Sequence, residues 1–319
     1  MSFAREAKNE LTRIQDLPAC CRRAELSALA RLNGRIVDDE DAGRPAVEIA
    51  TENAAIARRI YVHVRDVLGA PGRVIVRKNR RLRKNNTYVI RLPLPPEAVA
   101  AHLGLRLDSA AGAFVGAPAD EVTKKTCCKR SYLRAAFLAR GSVNAPSAHS
   151  YHLELTAGDG DHADRLEALF RHFGLLPRRL VRPKGTILYL KEGDQITEFL
   201  SLIGAHNSLF RFEDVRIMKD MRNTINRLVN AETANLNKAV RAAMAQVRDI
   251  TLIQETIGLE ALPPKLREVA EARLRHPEAN LKELGELLPG GPVSKSGINH
   301  RLRKIHEIAM KIQSTRRPM

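Results

Sequence analysis

Two stretches of the sequence carry the same chemically capable side chains at the same spacing. Cys20-Cys21 opens "CCRRAELSALARLNG" and Cys127-Cys128 opens "CCKRSYLRAAFLARG"; the cysteine pairs lie 107 residues apart, as do the closing Gly34 and Gly141. All four cysteines of the chain sit in these two pairs. Four thiolates are a zinc donor set, and they would meet if the two stretches pack together. Adjacent cysteines lack the C-x₂₋₄-C spacing of structural zinc sites, however, and neighbours on a helix point about 100° apart. Spacing alone therefore favours small buried residues at the start of a helix, with no metal and no cofactor. An intracellular chain also disfavours structural disulfides.

A second set of capable side chains lies near the C-terminus. In "SKSGINHRLRKIHEIAMKIQ" (294–313), Ile298, Leu302, Ile305 and Ile308 or Ala309 recur at steps of three and four, which predicts a helix with one apolar stripe. Off that stripe lie Lys295, Ser296, Asn299, His300, Arg301, Arg303 and Lys304. An Asn amide can hydrogen-bond adenine in two places, and a guanidinium can do the same to guanine. Lysine and the capping Ser294 suit phosphates at the helix start. Such a helix taken alone is an ordinary solvated face, so what precedes it matters. "NLKELGELL" (280–288) places Leu281, Leu284 and Leu288 on one face, and a "PGGPV" turn follows. Short helix, glycine-containing turn and longer helix make a helix-turn-helix over about 280–312. Within it His300 is read as a contact and His306 as a surface residue.

The elements that must position these side chains fall into three regions. Residues 1–210 read as a duplication, with copies over about 18–105 and 125–204. Each copy has a Cys-Cys helix, a strand ("AVEIAT", 46–51; "YHLELT", 151–156), a helix (53–69; 161–175), a basic hairpin (73–92; 178–193) and a closing helix (96–105; 194–204). Asn85-Asn86 is the expected turn of the first hairpin. Two such copies most simply meet about a pseudo-twofold axis through the Cys-Cys helices, where Ala28, Ala30, Ala135, Ala136 and Ala139 permit close approach. Residues 211–250 are a helical linker whose Asn-rich centre, "NRLVNAETAN", is expected to form a loop. Residues 251–319 form an all-α unit that includes a helix over 263–277. The fold class is α+β.

Charge narrows the function classes. With 53 basic and 36 acidic residues the net charge is +17, the balance of a polyanion binder. Trp is absent and aromatics are 4%, which argues against stacking single strands and for duplex DNA held by its phosphates. The charged N-terminus "MSFAREAKNEL" does not read as a signal peptide, and no apolar run approaches the ~20 residues of a membrane span. The expectation is a cytoplasmic, nucleoid-associated protein without a membrane partner. In the first hairpin Arg73, Arg77, Arg80, Arg81, Arg83 and Lys84 either contact phosphates or keep an edge strand solvated and unpaired, and both readings stay open.

The two Cys-Cys phrases resemble degenerate versions of the LAGLIDADG motif of homing endonucleases. That resemblance implies a saddle of strands over DNA, with an acidic residue before each closing glycine holding divalent metals. Here those slots hold Asn33 and Arg140. An amide carries no charge to hold Mg²⁺ and a guanidinium repels it. Asp38 and Asp39 follow Asn33 too late to replace it, and Asp159 and Asp161 lie far along the chain from Arg140. No catalytic residue is assigned. With "TCCKRSYLRAAFLARGSV", "NRLVNAETANLNKAV" and "SKSGINHRLRKIHEIA", the whole chain resembles the WhiA sporulation and cell-division regulators. The resemblance implies a promoter-binding, non-cutting transcription regulator of double-stranded DNA. Two other readings stand beside it: a scaffold for a protein partner (RNA polymerase or another regulator) with non-specific DNA affinity, and a metal-dependent DNA endonuclease.

Overall fold

The computed structural model describes residues 2–39, 43–78, 86–183 and 185–315. They form two compact units, Met1–Asp220 and Met221–Met319.

In the first unit, α1 (Phe3–Leu11) precedes two copies of one αββαββα motif. The first copy contains α2 (Ala19–Asn33), β1 (Gly34–Asp39), β2 (Arg44–Thr51), α3 (Ala54–Leu68), β3 (Arg73–Lys78), β4 (Asn86–Arg91) and α4 (Pro96–Leu103). A small hairpin of β5 (Arg106–Asp108) and β6 (Ala113–Val115) links it to the second. That copy contains α5 (Thr126–Arg140), β7 (Gly141–Val143), β8 (Leu153–Ala157), α6 (Gly160–His172), β9 (Arg178–Arg182), β10 (Gly185–Leu190) and α7 (Gly193–Ile203). The sheets share one antiparallel topology, β1-β2-β4-β3 and β7-β8-β10-β9. The basic strands β3 and β9 occupy equivalent edges.

α2 and α5 form the seam. Their paired positions meet at both ends, Cys20-Cys21 with Cys127-Cys128 and Asn33 with Arg140, so the helices run side by side in the same direction. Ala24–Leu32 and Ser131–Leu138 are buried without a break, because each helix has protein on every side. Ala28, Ala30, Ala135 and Ala136 are all buried, while Ala139 is partly so. The closing glycines answer to close approach. A Cβ on Gly34 would fall on the Ala30 carbonyl oxygen, and one on Gly141 on the Phe137 ring. Each helix can thus pass directly into its strand.

Three observations differ from the sequence expectations. Strands β1 and β7 follow the glycines immediately, where no separate strand was read. Asn86 is not a turn residue but pairs with Lys78 in the β3–β4 ladder. The 211–250 stretch contains no loop: α8 (His206–Thr256) is one helix of 51 residues. Without Pro or Gly the backbone has no cause to break, and the asparagines stay solvated on exposed positions. The start of α8 is fixed by Glu10, whose carboxylate accepts from the Asn207 and Ser208 amides and the Ser208 hydroxyl at 2.7, 2.9 and 2.6 Å.

The second unit holds the end of α8 with α9 (Pro264–Arg275), α10 (Leu281–Glu286) and α11 (Lys295–Thr315). Its core joins Ile250, Ile253, Leu266, Val269, Leu284, Leu288, Ile298, Leu302, Ile305 and Ala309. No helix among the described residues is long and apolar enough to cross a membrane.

Candidate nucleic-acid interface

α10 is short, so its geometry depends on its ends. Asn280 accepts from the Lys282 and Glu283 amides at 2.9 and 3.1 Å, and Glu283 accepts from the Asn280 amide at 2.8 Å. This reciprocal cap satisfies first-turn donors that a six-residue helix would otherwise leave open. Gly285 lets the turn fold onto α10: the Val293 amide donates to its carbonyl at 3.1 Å, and a Cβ there would strike the Val293 carbonyl oxygen. Ser294 then caps α11, accepting from the Gly297 amide at 3.3 Å. On the other side, buried Arg273 donates to the Ala279 carbonyl at 2.6 Å, tying the α9–α10 loop down. His306 is exposed but engaged, 2.7 Å from Asp249 near the end of α8.

These contacts fix the orientation of α11. Ile298, Leu302, Ile305 and Ala309 point into the core. Ser294, Lys295, Ser296, Asn299, His300, Arg303 and Lys304 are exposed, and Arg301 is partly so. Among the described residues none of the four cations Lys295, Arg301, Arg303 and Lys304 has an ion-pair partner. The helix presents one polar, basic strip over its first three turns.

The strands of the first unit treat their charges differently. Glu48 is buried on β2 and accepts from Arg91 at 2.8 Å and from Arg77 at 2.9 Å, and Arg91 also reaches Asp39 at 2.6 Å. On the equivalent edge β9, Arg179 pairs with Asp164. Arg73 and Arg77 are exposed on β3, whereas Arg80, Arg81, Arg83 and Lys84 lie outside the described residues.

At the C-terminal ends of the seam helices, the Arg140 Nε donates to Asn33 Oδ1 at 3.3 Å. The two slots before the closing glycines therefore face each other, and an amide–guanidinium pair stands where the resemblance would place two carboxylates. Burial lowers the Arg140 pKa, and Arg35 and Arg31 nearby lower it further, so this corner is cationic. Of the nearby acids, Asp39 is held by Arg91. Asp161 faces Arg106 at 3.4 Å. Asp159 comes nearer than its sequence position suggests, since Gly158 lines the same cleft as Arg140. Its carboxylate is already taken by Arg31 at 2.5 Å and the Gly116 and His162 amides at 2.8 and 2.9 Å. Although burial opposes ionisation, these donors hold the Asp159 pKa below its ordinary value.

One buried cluster had no counterpart in the sequence reading. Glu25 on α2 is fully buried and accepts from Arg59 at 2.7 and 2.9 Å, from Arg134 at 2.8 Å, and lies 2.8 Å from His63. Burial disfavours its charge, but His63 and Arg59 outweigh that and hold its pKa at about 2. The equivalent level of α5 carries Tyr132, whose hydroxyl lies 2.9 Å from buried His162. The weak signal was a lone Glu within an otherwise alanine- and leucine-rich phrase. At the opposite ends of the helices the four cysteine sulfurs lie within 4.8 Å of one another. Cys21 and Cys128 are buried as expected, but Cys127 is exposed and Cys20 only half-buried, so small-residue packing does not account for the set.

Comparison with known proteins covers nearly all of this architecture. Residues 19–106 match the family model of the WhiA N-terminal LAGLIDADG-like domain, 129–222 the WhiA LAGLIDADG-like domain and 225–309 the WhiA C-terminal HTH domain. The chain is 52% identical over 313 residues to a probable cell division protein WhiA of Brevibacillus brevis, covering 98% of both chains. A protein of the same description from Bacillus cytotoxicus is 50% identical over 314 residues, again with 98% of each covered. The crystal structure of full-length DUF199/WhiA from Thermatoga maritima superposes with a TM-score of 0.58 at 25% identity, covering 98% of this chain and 99% of that one.

Proposed function

Because the chain belongs to the WhiA family, we propose that it is a sequence-specific regulator that reads double-stranded promoter DNA with α11 and does not cut it. The observation that carries this reading is the strip of exposed polar side chains, its four cations without an ion-pair partner among the described residues, on a helix whose orientation is fixed by two caps and a glycine turn. Asn299 and Arg303 suit base edges, and Ser294 and Lys295 suit a phosphate at the helix start. The cytoplasm, at the nucleoid, is the place such a protein works.

The non-cutting half rests on the seam. Two-metal hydrolysis needs carboxylates to hold the cations that flank the scissile phosphate. Arg140 paired with Asn33 supplies instead a fixed positive charge, which attracts a phosphate and repels Mg²⁺. Helix C-termini favour a cation at this end of α2 and α5. A supercoiled plasmid incubated with the full chain and Mg²⁺ should stay intact while being bound. Nicking that a chelator abolishes would revive the endonuclease reading.

A second reading, a scaffold for RNA polymerase or another regulator, is favoured by the exposed Met221, Ile225, Leu228 and Val229 on α8. Salt separates the two. Direct phosphate contact makes affinity fall steeply with salt, by roughly one logarithmic unit of slope per phosphate neutralised. A scaffold tethered through apolar contacts would show little salt dependence.

A further inference from the structure

The N-terminal ends of α2 and α5 meet, and all four cysteine sulfurs converge there. Every pair lies within 4.8 Å, with Cys127 and Cys128 Sγ 4.0 Å apart. Among the described residues this is the only group of three or more His, Cys, Asp or Glu side chains placed to share an ion. A tetrahedral zinc–thiolate centre with Zn–S of about 2.3 Å sets its sulfurs about 3.8 Å apart. Iron–sulfur clusters spread their cysteines around several irons and need a wider frame. The size of the cluster therefore fits one ion. We propose that Cys20, Cys21, Cys127 and Cys128 form a mononuclear tetrathiolate site for a soft divalent cation of the zinc class, joining the two copies at their seam.

The adjacency of each pair, which argues against zinc on one helix, ceases to matter when two helices each supply two sulfurs. The first-turn positions bring neighbouring sulfurs onto one side, and the parallel partner helix provides the other half of the tetrahedron. The surroundings suit a negatively charged centre. Neither helix has a side-chain N-cap or an acidic residue in its first turn, so two positive helix ends face the sulfurs unopposed. Buried Cys21 and Cys128 anchor the set, while exposed Cys127 and half-buried Cys20 leave it open for an ion to arrive.

Without an ion, burial pushes the Cys21 thiol up to about 11 and raises Cys128 further. Burial opposes the Cys20 thiolate too, but the thiols of Cys128, Cys21 and Cys127 and the charge of Lys125 bring its pKa below the ordinary value. As each metal–sulfur bond forms, the remaining S–H protons pass to solvent, and no electron transfer is involved. The site lies at the far end of helices 15 residues long, ~20 Å from the Asn33–Arg140 pair. It is therefore spatially separate from the seam corner assigned to phosphate.

The full chain, purified under reducing conditions without chelator, should carry close to one equivalent of zinc by elemental mass spectrometry, released by a thiol-blocking mercurial. Replacing zinc with Co²⁺ should give an intense thiolate-to-cobalt charge-transfer band and the visible bands of tetrahedral cobalt. Cys127→Ser, at the exposed position, and Cys20→Ser should each weaken Co²⁺ binding roughly tenfold or more with the circular dichroism spectrum retained. Three results would overturn the site. The reduced, folded chain could take up neither Zn²⁺ nor Co²⁺, both Cys→Ser variants could bind Co²⁺ as the parent does, or the isolated protein could hold disulfides between these cysteines instead of metal.

Discussion

On β3 and β4 the guanidinium groups of Arg77 and Arg91 converge on Glu48, and Arg91 reaches Asp39 as well. On the first three turns of α11, Lys295, Arg301, Arg303 and Lys304 face solvent with no carboxylate partner among the described residues. A cation already neutralised by a neighbour has little to gain from a phosphate, because the first pair must be broken to form the second. A cation held exposed on a rigid helix has its full charge available. The difference teaches that the net charge of +17 is not spread evenly as binding capacity. In the first unit several arginines are engaged by carboxylates, whereas the cations at the start of α11 have none among the described residues.

The sharpest test on the structural side is Glu25. Glu25→Ala leaves Arg59 and Arg134 buried without their counter-ion, and should cost about 3–5 kcal/mol, read as a lower denaturant midpoint of the full chain. A smaller, reversible version comes from pH. The Glu25 pKa is depressed from 4.5 to about 2, so its contribution is complete above 4.5 and is lost as pH falls toward 2. Burial, aided by Arg31, lowers His162 from 6.5 to about 3. The unfolded chain therefore takes up that proton first, and stability falls in the same direction between pH 6.5 and 3. Thermal melts across this range should decline with acid, and His162→Gln should flatten the upper part of the decline.

On the recognition side, Asn299→Ala should relax specificity at one base pair by ~1–3 kcal/mol while leaving the fold intact, measured by competition between duplexes. Arg77→Ala should do least. It removes an exposed partner of Glu48 that Arg91 still holds, so stability should change by ~0–1 kcal/mol and DNA affinity by less than twofold. A large affinity loss in this variant would break the comparison and put β3 on the DNA.

Much of this architecture is written locally. The 107-residue offset marks the two seam helices as equivalent, and the runs of alanine on each suit the close packing that the structure shows. The helix-turn-helix is legible through its leucine and isoleucine stripes and its glycine turn, all short-range signals. What escaped depends on distant partners. The helix α1 matters through Glu10, which caps a helix nearly 200 residues later. Glu25 is recognisable as an ion-pair hub only once α3 and α5 bring Arg59 and Arg134 to it. The asparagines of α8 carry a turn propensity that an uninterrupted helical backbone overrides. The clustering of the four cysteines likewise depends on a distant partner, because two helices 107 residues apart bring the sulfurs within 4.8 Å of one another.

The most direct measurement is a selection from randomised duplex DNA at near-physiological salt with Mg²⁺, run in parallel for the full chain and for Asn299→Ala. Recognition by α11 predicts an enriched motif, recovered uncut, in which the variant loses preference at a single base pair. No enrichment, or a motif unchanged by the substitution, would contradict the assignment of α11 as the reading helix.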